Sequence, residues 1–422
     1  GRVTTSIERA RLAKGITGVR VTTGQHPGGM VVVPKEYSIH HFSPIQHPAD
    51  KKESGITTTH FDFGSLHDIL VKLDILGHDD PTMIYMLEKL TGVDARAVPL
   101  TDPKVMSLFT SPDALGVTSE QIGSKTGTFG IPEFGTSFVR GMLEETQPTT
   151  MGELLRISGL SHGTNVWINN AQDMIREGIA TLRTCFCTRD DIMNTLMAHG
   201  VEAKMAFTIM EIVRKGRGKA ALTKEMEQAM RDAGVAQHYI DSCYKIEYMF
   251  PKAHAAAYVM MALRVAYFKV YHPLAYYTAY FTVRADEFDA ATMLAPPDRL
   301  RALMKEISQK EDDSAKDERQ ITLFELVLEM RERGFAFLPV DLYSSSAGEF
   351  LIEGDGIRPP FNKLPGVGLA AAESIVAARA DGEFLSIEDM QKRSKVSKAV
   401  VESLRAQGCL RGMPESSQIT LF

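Results

Sequence analysis

Lys72 and Asp74 stand two residues apart in the stretch VKLDILG, and a base and an acid at that spacing can work together. On a strand, alternate side chains share a face, so Lys72 and Asp74 point one way while Val71, Leu73 and Ile75 point the other, into apolar packing. Enzymes that hold polyphosphate through metals carry carboxylates in the site and confine basic residues to local stripes, and such a face suits that chemistry. A solvated strand face carries the same pattern. The next acids, Asp79 and Asp80, precede Pro81 and suit the start of a helix, with Asp80 as its N-cap, better than a metal.

Other constellations carry polar chemistry. In MFPKAHAAAYVMMALRVAYFKVYHP, His254 and Tyr258 are four residues apart and share one helical face, with Lys252 just ahead of the helix. The four alanines beside them let something large pack closely, although Tyr258 in a plain core reads the same. In NKLPGVGLAAAESIVAAR, Pro365 precedes Gly366, Val367 and Gly368. That glycine-pinched turn brings backbone N–H groups at the next helix N-terminus towards a phosphate oxygen, aided by the helix dipole. Ala372, Ile375 and Val376 then fit the second helix of a helix-hairpin-helix module; an ordinary αα-hairpin shares much of this. Lys215, Arg217 and Lys219 alternate with glycines in RKGRGK, a stripe that can follow a nucleic-acid backbone or simply be solvated. Cys185, Cys187, Cys243 and Cys409 are sparse and irregularly spaced, which suits buried or idle thiols better than a disulfide framework or a zinc site, the triplet Cys185-Phe186-Cys187 included.

The pentapeptide QITLF occurs twice, at 320–324 and at 418–422. The first copy runs into a helix, where Ile321 and Phe324 join the apolar face. The second stands at a free end behind Pro414 and two serines, where Ile419, Leu421 and Phe422 have nothing evident to bury against. Exposed apolar residues on a mobile tail await a partner's groove.

Elements must hold these residues. The first 80 residues or so read as mixed α/β: a charged helical start at 7–14, two short strands in VRVTT and MVVVP around the turn GQHPGG, and a strand at 68–77 that carries Lys72 and Asp74. A helix follows and stops at Gly92. From about 93 to 285 the pattern is helical and rich in Met, and Pro273 breaks the long helix begun near 253. Residues 308–320 read as a polar surface connector, 321–333 as a helix capped by Gly334, and FAFLPVDLY and GEFLIEG as short strands. Two helices joined by LPGVG lead to a tail, flexible from 413 to its end. The fold class is therefore α+β, predominantly helical, and 422 residues allow about two to four domains.

Apolar residues at 44% and charged residues at 24% exclude wholesale disorder and a membrane protein. The longest apolar run, 255–271, is interrupted by Arg264 and Lys269, and the first fifteen residues hold no apolar h-region, so a cytosolic protein is expected. A net charge of −6 gives no global attraction to nucleic acid and leaves that task to local stripes.

Taken in order, GQHPGGMVVVP, LVKLDILGHDDPT, FGIPEFGTSFVRGML, ISGLSHGTNVW, CTRDDIMNTL, YMFPKAHAAAY, YFTVRADEFD and the terminal QITLF resemble the C-terminal part of the bacterial family C replicative DNA polymerase, the PolC-type polymerase III alpha subunit. The resemblance runs through essentially all of the chain. It implies the C-terminal part of a nucleotidyltransferase-like palm at 1–92, fingers at 93–285, a connector and helix/strand subdomain at 286–345, a helix-hairpin-helix duplex-binding region at 346–412 and a clamp-binding tail at 413–422. Asp74 is implied to be catalytic, the third of a carboxylate trio that holds two Mg2+ ions, with Lys72 balancing triphosphate charge. The family's D-x-D pair has no match before Asp74, so this chain alone is expected to be inactive. Lys252 and His254 are expected near the phosphates of the dNTP, Tyr258 near its sugar or base, and Arg189 at a phosphate; Arg140 and His162 are pocket residues without an assigned role. Lys215, Arg217, Lys219, Gly366, Val367 and Gly368 are expected on primer-template DNA. Gln418, Ile419, Leu421 and Phe422 are expected in the groove of the sliding clamp, the beta subunit. Other replisome subunits complete the expected partners, with no membrane, in a nucleoid-associated replisome of the bacterial cytoplasm. The competing expectation is a non-catalytic DNA- and clamp-binding scaffold.

Overall fold

The computed structural model describes residues 4–19, 22–26, 28–75, 77–309 and 314–416. The chain divides into two units, Gly1–His78 and Asp79–Phe422. In the first, α1 (Ser6–Ile16) starts where the Thr5 side chain accepts from the Glu8 N–H, and it buries none of its residues. Strands β1 (Gly29–Val32) and β4 (Val71–Asp74) pair antiparallel, with Gly29 opposite Asp74 and Val31 opposite Lys72. Between them β2 (Ile45–Gln46) pairs with β3 (Thr58–Thr59). The strand expected in VRVTT does not form at Thr22 and Thr23, and β1 finds its partner some forty residues on instead. Among the described residues, the buried hydrophobics of this unit are Leu66 and Leu70, too few for a core of its own.

The second unit is helical at its centre. α2 (Asp79–Thr91) is followed by α3 (Ser137–Thr146), α4 (Met151–His162), α5 (Arg189–Ala198), α6 (Ala203–Arg214), the single turn α7 (Gly218–Ala221), α8 (Gln237–Lys245), α9 (Lys252–Tyr271), α10 (Pro273–Arg284) and α11 (Ala315–Glu332). α9 is apolar on most sides, burying Ala255, Val259, Ala262, Leu263, Val265, Ala266 and Phe268, and so it runs through the interior with α4 and α10 against it. Pro273 ends it as expected, because a proline nitrogen has no hydrogen to donate and its ring starts a new helix readily.

Two expectations change here. Asp80 lies inside the first turn of α2, 1% exposed and paired with Arg284, so it is a buried ion-pair partner and not an N-cap. The polar stretch 308–320 is not all connector: α11 begins at Ala315, where Ser314 and Asp317 form a capping box.

The C-terminal part holds a three-stranded sheet, β5 (Ala336–Phe337), β6 (Leu351–Glu353) and β7 (Gly356–Arg358), in the order β5-β7-β6, with β5 parallel and β6 antiparallel to β7. The central strand was not read from the sequence. α12 (Leu369–Ala380), α13 (Ile387–Ser394) and α14 (Lys398–Ala406) follow. The chain after 413 is not loose at once. The carbonyls of Pro414 and Glu415 accept from the N–H groups of Ile387 and Glu388, and Glu415 pairs with Arg405. Gln418, Ile419, Leu421 and Phe422 lie outside the described residues. The fold is α+β and predominantly helical. Among the described residues no helix is long and apolar enough to cross a membrane.

Candidate active site

Strand alternation does put Lys72 and Asp74 on one face of β4, and there the ammonium meets the carboxylate at 3.1 Å. Asp74 is 53% exposed. Lys72 is more enclosed, with its Nζ 5.0 Å from the centre of the Phe63 ring, and it lines a cavity of about 690 Å³ together with His26, Gln46, His60 and Asp62. Gly29 makes this packing possible: a Cβ there would lie 2.8 Å from His26 Nδ1 and 3.3 Å from Lys72 Cδ. The opposite face differs from the expectation. Val71, Leu73 and Ile75 are exposed rather than packed, and so are Met30 and Val32 on β1. Met30 is opposite Leu73 and Val32 opposite Val71, so these side chains make one uncovered apolar surface.

Among the described residues, no three His, Cys, Asp or Glu side chains converge as a cation cage. Mg2+ takes an octahedral set of oxygens, usually one or two carboxylates with waters and phosphates. One carboxylate bonded to its own lysine does not make that set, so these residues alone do not fit a resident Mg2+ pair.

In the second unit the structure brings the other polar candidates together at the start of α9. Arg189 opens α5 and donates its backbone N–H to the Phe250 carbonyl at 3.1 Å. Lys252 opens α9 and donates its N–H to Asp190 Oδ2 at 2.8 Å. These two bonds dock the N-termini of α5 and α9 on each other. The Lys252 ammonium reaches Asp191 Oδ1 at 3.8 Å, and Arg156 reaches the other oxygen of Asp191 at the same distance. One helical turn along α9, His254 and Tyr258 stack with ring centroids 4.4 Å apart and planes 9° from parallel. Two cations on one carboxylate and two stacked rings thus lie near the start of α9, a combination with the charge and flatness to suit a charged and planar ligand.

The basic stripe is partly spent inside the fold. Lys215 pairs with Glu211 at 2.9 Å, and Arg214 pairs with the same carboxylate and holds it well below its usual range, down to about 2. Arg217 and Lys219 stay exposed. Gly216 (φ 68°) and Gly218 are pressed on the end of α8, where a Cβ would come within 2.4 Å of the Glu247 carbonyl and 2.1 Å of the Cys243 carbonyl, so the glycines serve packing.

At 364–369, Gly366 takes a left-handed φ of 73° with open space about it, Val367 is buried, and Gly368 is an N-cap with no side chain to offer. The first N–H groups of α12 are therefore left to an outside acceptor. Ala372 and Ile375 are fully buried behind them. Sequence reading missed that the same turn recurs. Between α13 and α14, Lys395 takes φ 54°, Val396 is buried, Ser397 is the N-cap, and Val401 and Leu404 are buried. Each lies 29 residues after its counterpart in the first turn (395 − 366; 404 − 375). The signal was a shared spacing of small and apolar residues, masked because lysine stands where the first turn has glycine.

Three of the thiols are buried and Cys409 is partly so. Desolvation pushes Cys185 up to about 11 and Cys243 and Cys409 up to about 12, and Cys187 rises further. Arg156 donates to the Cys185 carbonyl at 3.2 Å, which fixes the triplet as a structural turn. Arg140 is also structural, bonded to the Gly135 carbonyl and to Glu325. His162 pairs with Glu133 at 2.8 Å.

The same stretches carry the likeness to known proteins. A family model for the bacterial DNA polymerase III alpha NTPase domain matches residues 3–77, one for the bacterial DNA polymerase III alpha subunit finger domain matches 80–237, and one for a helix-hairpin-helix motif matches 334–419. DNA polymerase III PolC-type of Bacillus subtilis (strain 168) is 58% identical over 98% of this chain and 28% of its own length. The chain belongs to the PolC-type DNA polymerase III family. The protein of the same name from Clostridium perfringens (strain 13 / Type A) is 56% identical over 100% of the chain and 29% of its own length, and that from Listeria innocua serovar 6a 55% over 98% and 28%. The chain thus spans less than a third of the length of the PolC-type relatives it matches. The break between the first two family matches falls at the junction of the two structural units.

Proposed function

We propose that this chain serves template-directed DNA synthesis as part of a replicative DNA polymerase that joins dNTPs to a primer 3′-hydroxyl. Residues 1–92 are the C-terminal part of the palm, 93–285 the fingers, 286–345 a connector, 346–412 the duplex grip and 413–422 the clamp-binding tail. The observation that carries this reading is the cluster at the docked ends of α5 and α9. Arg189 and Lys252 are the first residues of two helices whose N-termini dock on each other, and the stacked His254 and Tyr258 offer a flat surface one turn away. A nucleoside triphosphate has that combination of charge and plane.

Asp74 is the catalytic carboxylate, and Lys72 tempers triphosphate charge beside it. The remaining metal-binding acids come from polypeptide outside these residues, which also covers the apolar face of β1 and β4; Met30, Val32, Val71, Leu73 and Ile75 favour that assignment. With the remaining acids supplied from outside, Asp74 would help hold divalent cations, whose charge would favour ionisation of the primer hydroxyl and departure of pyrophosphate. The turn at Gly366, Val367 and Gly368 takes a duplex phosphate through backbone N–H groups, the turn at Lys395 takes a second, and Lys215, Arg217 and Lys219 add diffuse attraction. Gln418, Ile419, Leu421 and Phe422 dock in the sliding clamp, which keeps template at high local concentration.

Primer extension tests the reading, on this chain alone, on this chain mixed with the upstream polypeptide of its relatives, and on the full-length protein with Asp74→Asn. Incorporation is expected in the mixture and in wild-type full-length protein but not in Asp74→Asn. Wild-type rates from Asp74→Asn overturn the catalytic assignment. DNA and clamp binding without incorporation in any sample favours the non-catalytic scaffold, the reading suggested by the lack of an acidic cluster among the described residues.

A further inference from the structure

His254 and Tyr258 are the far end of a longer ring ladder. Phe250, in the chain entering α9, meets His254 edge-on at 4.4 Å and 67°. Its other side is covered by His162, the last residue of α4, stacked at 4.7 Å and 22°. At this end the ladder is anchored by charge, through the pair of His162 with Glu133.

Both ring nitrogens of His162 face acceptors. Nδ1 is 2.8 Å from the Ser158 carbonyl oxygen, and Nε2 is 2.8 Å from Glu133 Oε2. The Ser161 hydroxyl, 3.1 Å from Nδ1, directs its hydrogen to the Ser158 carbonyl at 3.0 Å, and a carbonyl and a carboxylate have no proton to give, so both nitrogens donate, and only the imidazolium carries two N–H groups. The bond from Glu133 raises the affinity of His162 for its proton above the ordinary value of 6.5, against the desolvation that opposes it. An imidazolium lying on the face of Phe250 is also held by the ring's quadrupole.

Glu133 is itself rigidly presented. It takes a left-handed φ of 70°, which a residue with a Cβ adopts only where the surroundings enforce it. They do: the buried Lys269 ammonium donates to the carbonyls of Gly127 and Phe129, Tyr276 donates to Phe129, and Arg140 to Gly135. Other charged or titratable groups near the ladder include His254 and Tyr258 on α9, the Lys252 ammonium with Asp191, and Arg189 and Asp190 on α5, whose backbone N–H and carboxylate hold the Phe250 carbonyl and the Lys252 N–H.

We propose that His162 is a positioning residue: as an imidazolium gripped between Glu133 and Phe250, it sets the Phe250, His254 and Tyr258 rings in the orientation that receives the nucleotide. This rests on the polymerase reading above. Below the histidine's folded pKa the grip is complete. As the pH rises through it the ring keeps one N–H, one of the two bonds is lost, and Phe250 is freed to turn.

The test uses full-length polymerase, wild type and Glu133→Gln, His162→Gln and His162→Arg, with KM and kcat for dNTP measured from about pH 6 to 9. In wild type, KM is expected to rise roughly fivefold across the titration, the worth of about one hydrogen bond, while kcat stays flat. Glu133→Gln shifts the rise down by about one pH unit or more. His162→Gln gives the raised KM throughout. His162→Arg, a permanent cation that stacks and pairs with a carboxylate, keeps KM low and flattens the profile. One common pH profile in all four proteins overturns the proposal. If the wild-type protein incorporates no nucleotide, the polymerase reading fails, and the ladder is then judged alone by NMR of 13C-labelled histidines. The titration midpoint of His162 should fall in Glu133→Gln; a midpoint that stays put overturns the proposal on that arm too.

Discussion

Lys269→Met removes a fully buried charge. The Lys269 and Glu329 side chains are both 0% exposed, 2.8 Å apart, near the C-terminal ends of helices α9 and α11. The ammonium spends its three hydrogens on Glu329 and on the carbonyls of Gly127 and Phe129, at 2.9, 2.8 and 2.6 Å. Tyr277 donates to the other Glu329 oxygen at 2.7 Å, and Arg333 donates to the Tyr277 hydroxyl at 3.0 Å. Methionine keeps the apolar stem and drops the charge, so the cost is that of an unpaired buried carboxylate, about 3 to 5 kcal/mol. The two orphaned carbonyls overlap with that figure, since water entering for one serves the others. At about 2 °C per kcal/mol for a unit this large, the melting temperature should fall by about 6 to 10 °C in a thermal melt followed by circular dichroism. Lys269→Met with Glu329→Leu should recover most of the loss, because an apolar pair of similar volume is tolerated where half an ion pair is not. Burial also pulls the Lys269 ammonium from 10.5 down to about 8. The unfolded chain then holds this proton more tightly than the folded one between those values, so the group's contribution is most favourable above 10.5 and declines as the pH falls through 8. Wild type should therefore gain on the double variant between pH 7 and pH 10. A single variant melting within about 1 °C of wild type, or a double variant less stable than the single one, refutes this account.

The remaining predictions concern function. Asp74→Asn in full-length protein should lower primer extension roughly a hundredfold or more, the scale for removing one electrostatic stabiliser at a reacting centre, while duplex affinity measured by anisotropy holds. Gly366→Val should cost about 1 to 2 kcal/mol through its left-handed φ, since open space surrounds the position, and should weaken duplex binding with a shallower salt dependence; unchanged affinity counts against the phosphate grip. Deleting 418–422 should weaken clamp binding and shorten products, whereas a change at Gln320 on α11 should leave clamp affinity alone, as surface plasmon resonance on the clamp can decide.

What the sequence disclosed follows the range of the forces involved. Alternation on a strand is local, and Lys72 and Asp74 share their face as that rule requires. Whether the other face is covered depends on distant chain, and there the expected packing of Val71, Leu73 and Ile75 is absent. The helix after the first QITLF buries Leu323, Phe324, Val327 and Met330 because its periodicity suffices. Lys269 read as a charge that breaks an apolar run, and Asp80 as a cap, since each meets its partner 60 and 204 residues away. No local pattern announces such pairs. His162 had no role for the same reason: Glu133 and Phe250 approach it from either side of the chain.

The long-range pairs also explain why charge is kept where hydrocarbon would serve stability nearly as well. Glu325 and Glu329 lie one turn apart on α11, and each seats a cation that reaches on to the loop between 127 and 135. Lys269 holds carbonyls at its start and Arg140 the Gly135 carbonyl at its end, with the Arg140 guanidinium 4.5 Å over the Phe129 ring. Burial raises the proton affinity of Glu325 while Arg140 pulls it back, so the pair is strained by desolvation and secured by geometry. Leucines in these places would pack as densely but could not fix a carbonyl in direction, because dispersion has no angle and a hydrogen bond does. The loop carries Glu133 in a backbone conformation that it would leave if freed. Orientation, not stability, is therefore what the buried ions supply, and the residue they orient is the one that grips His162.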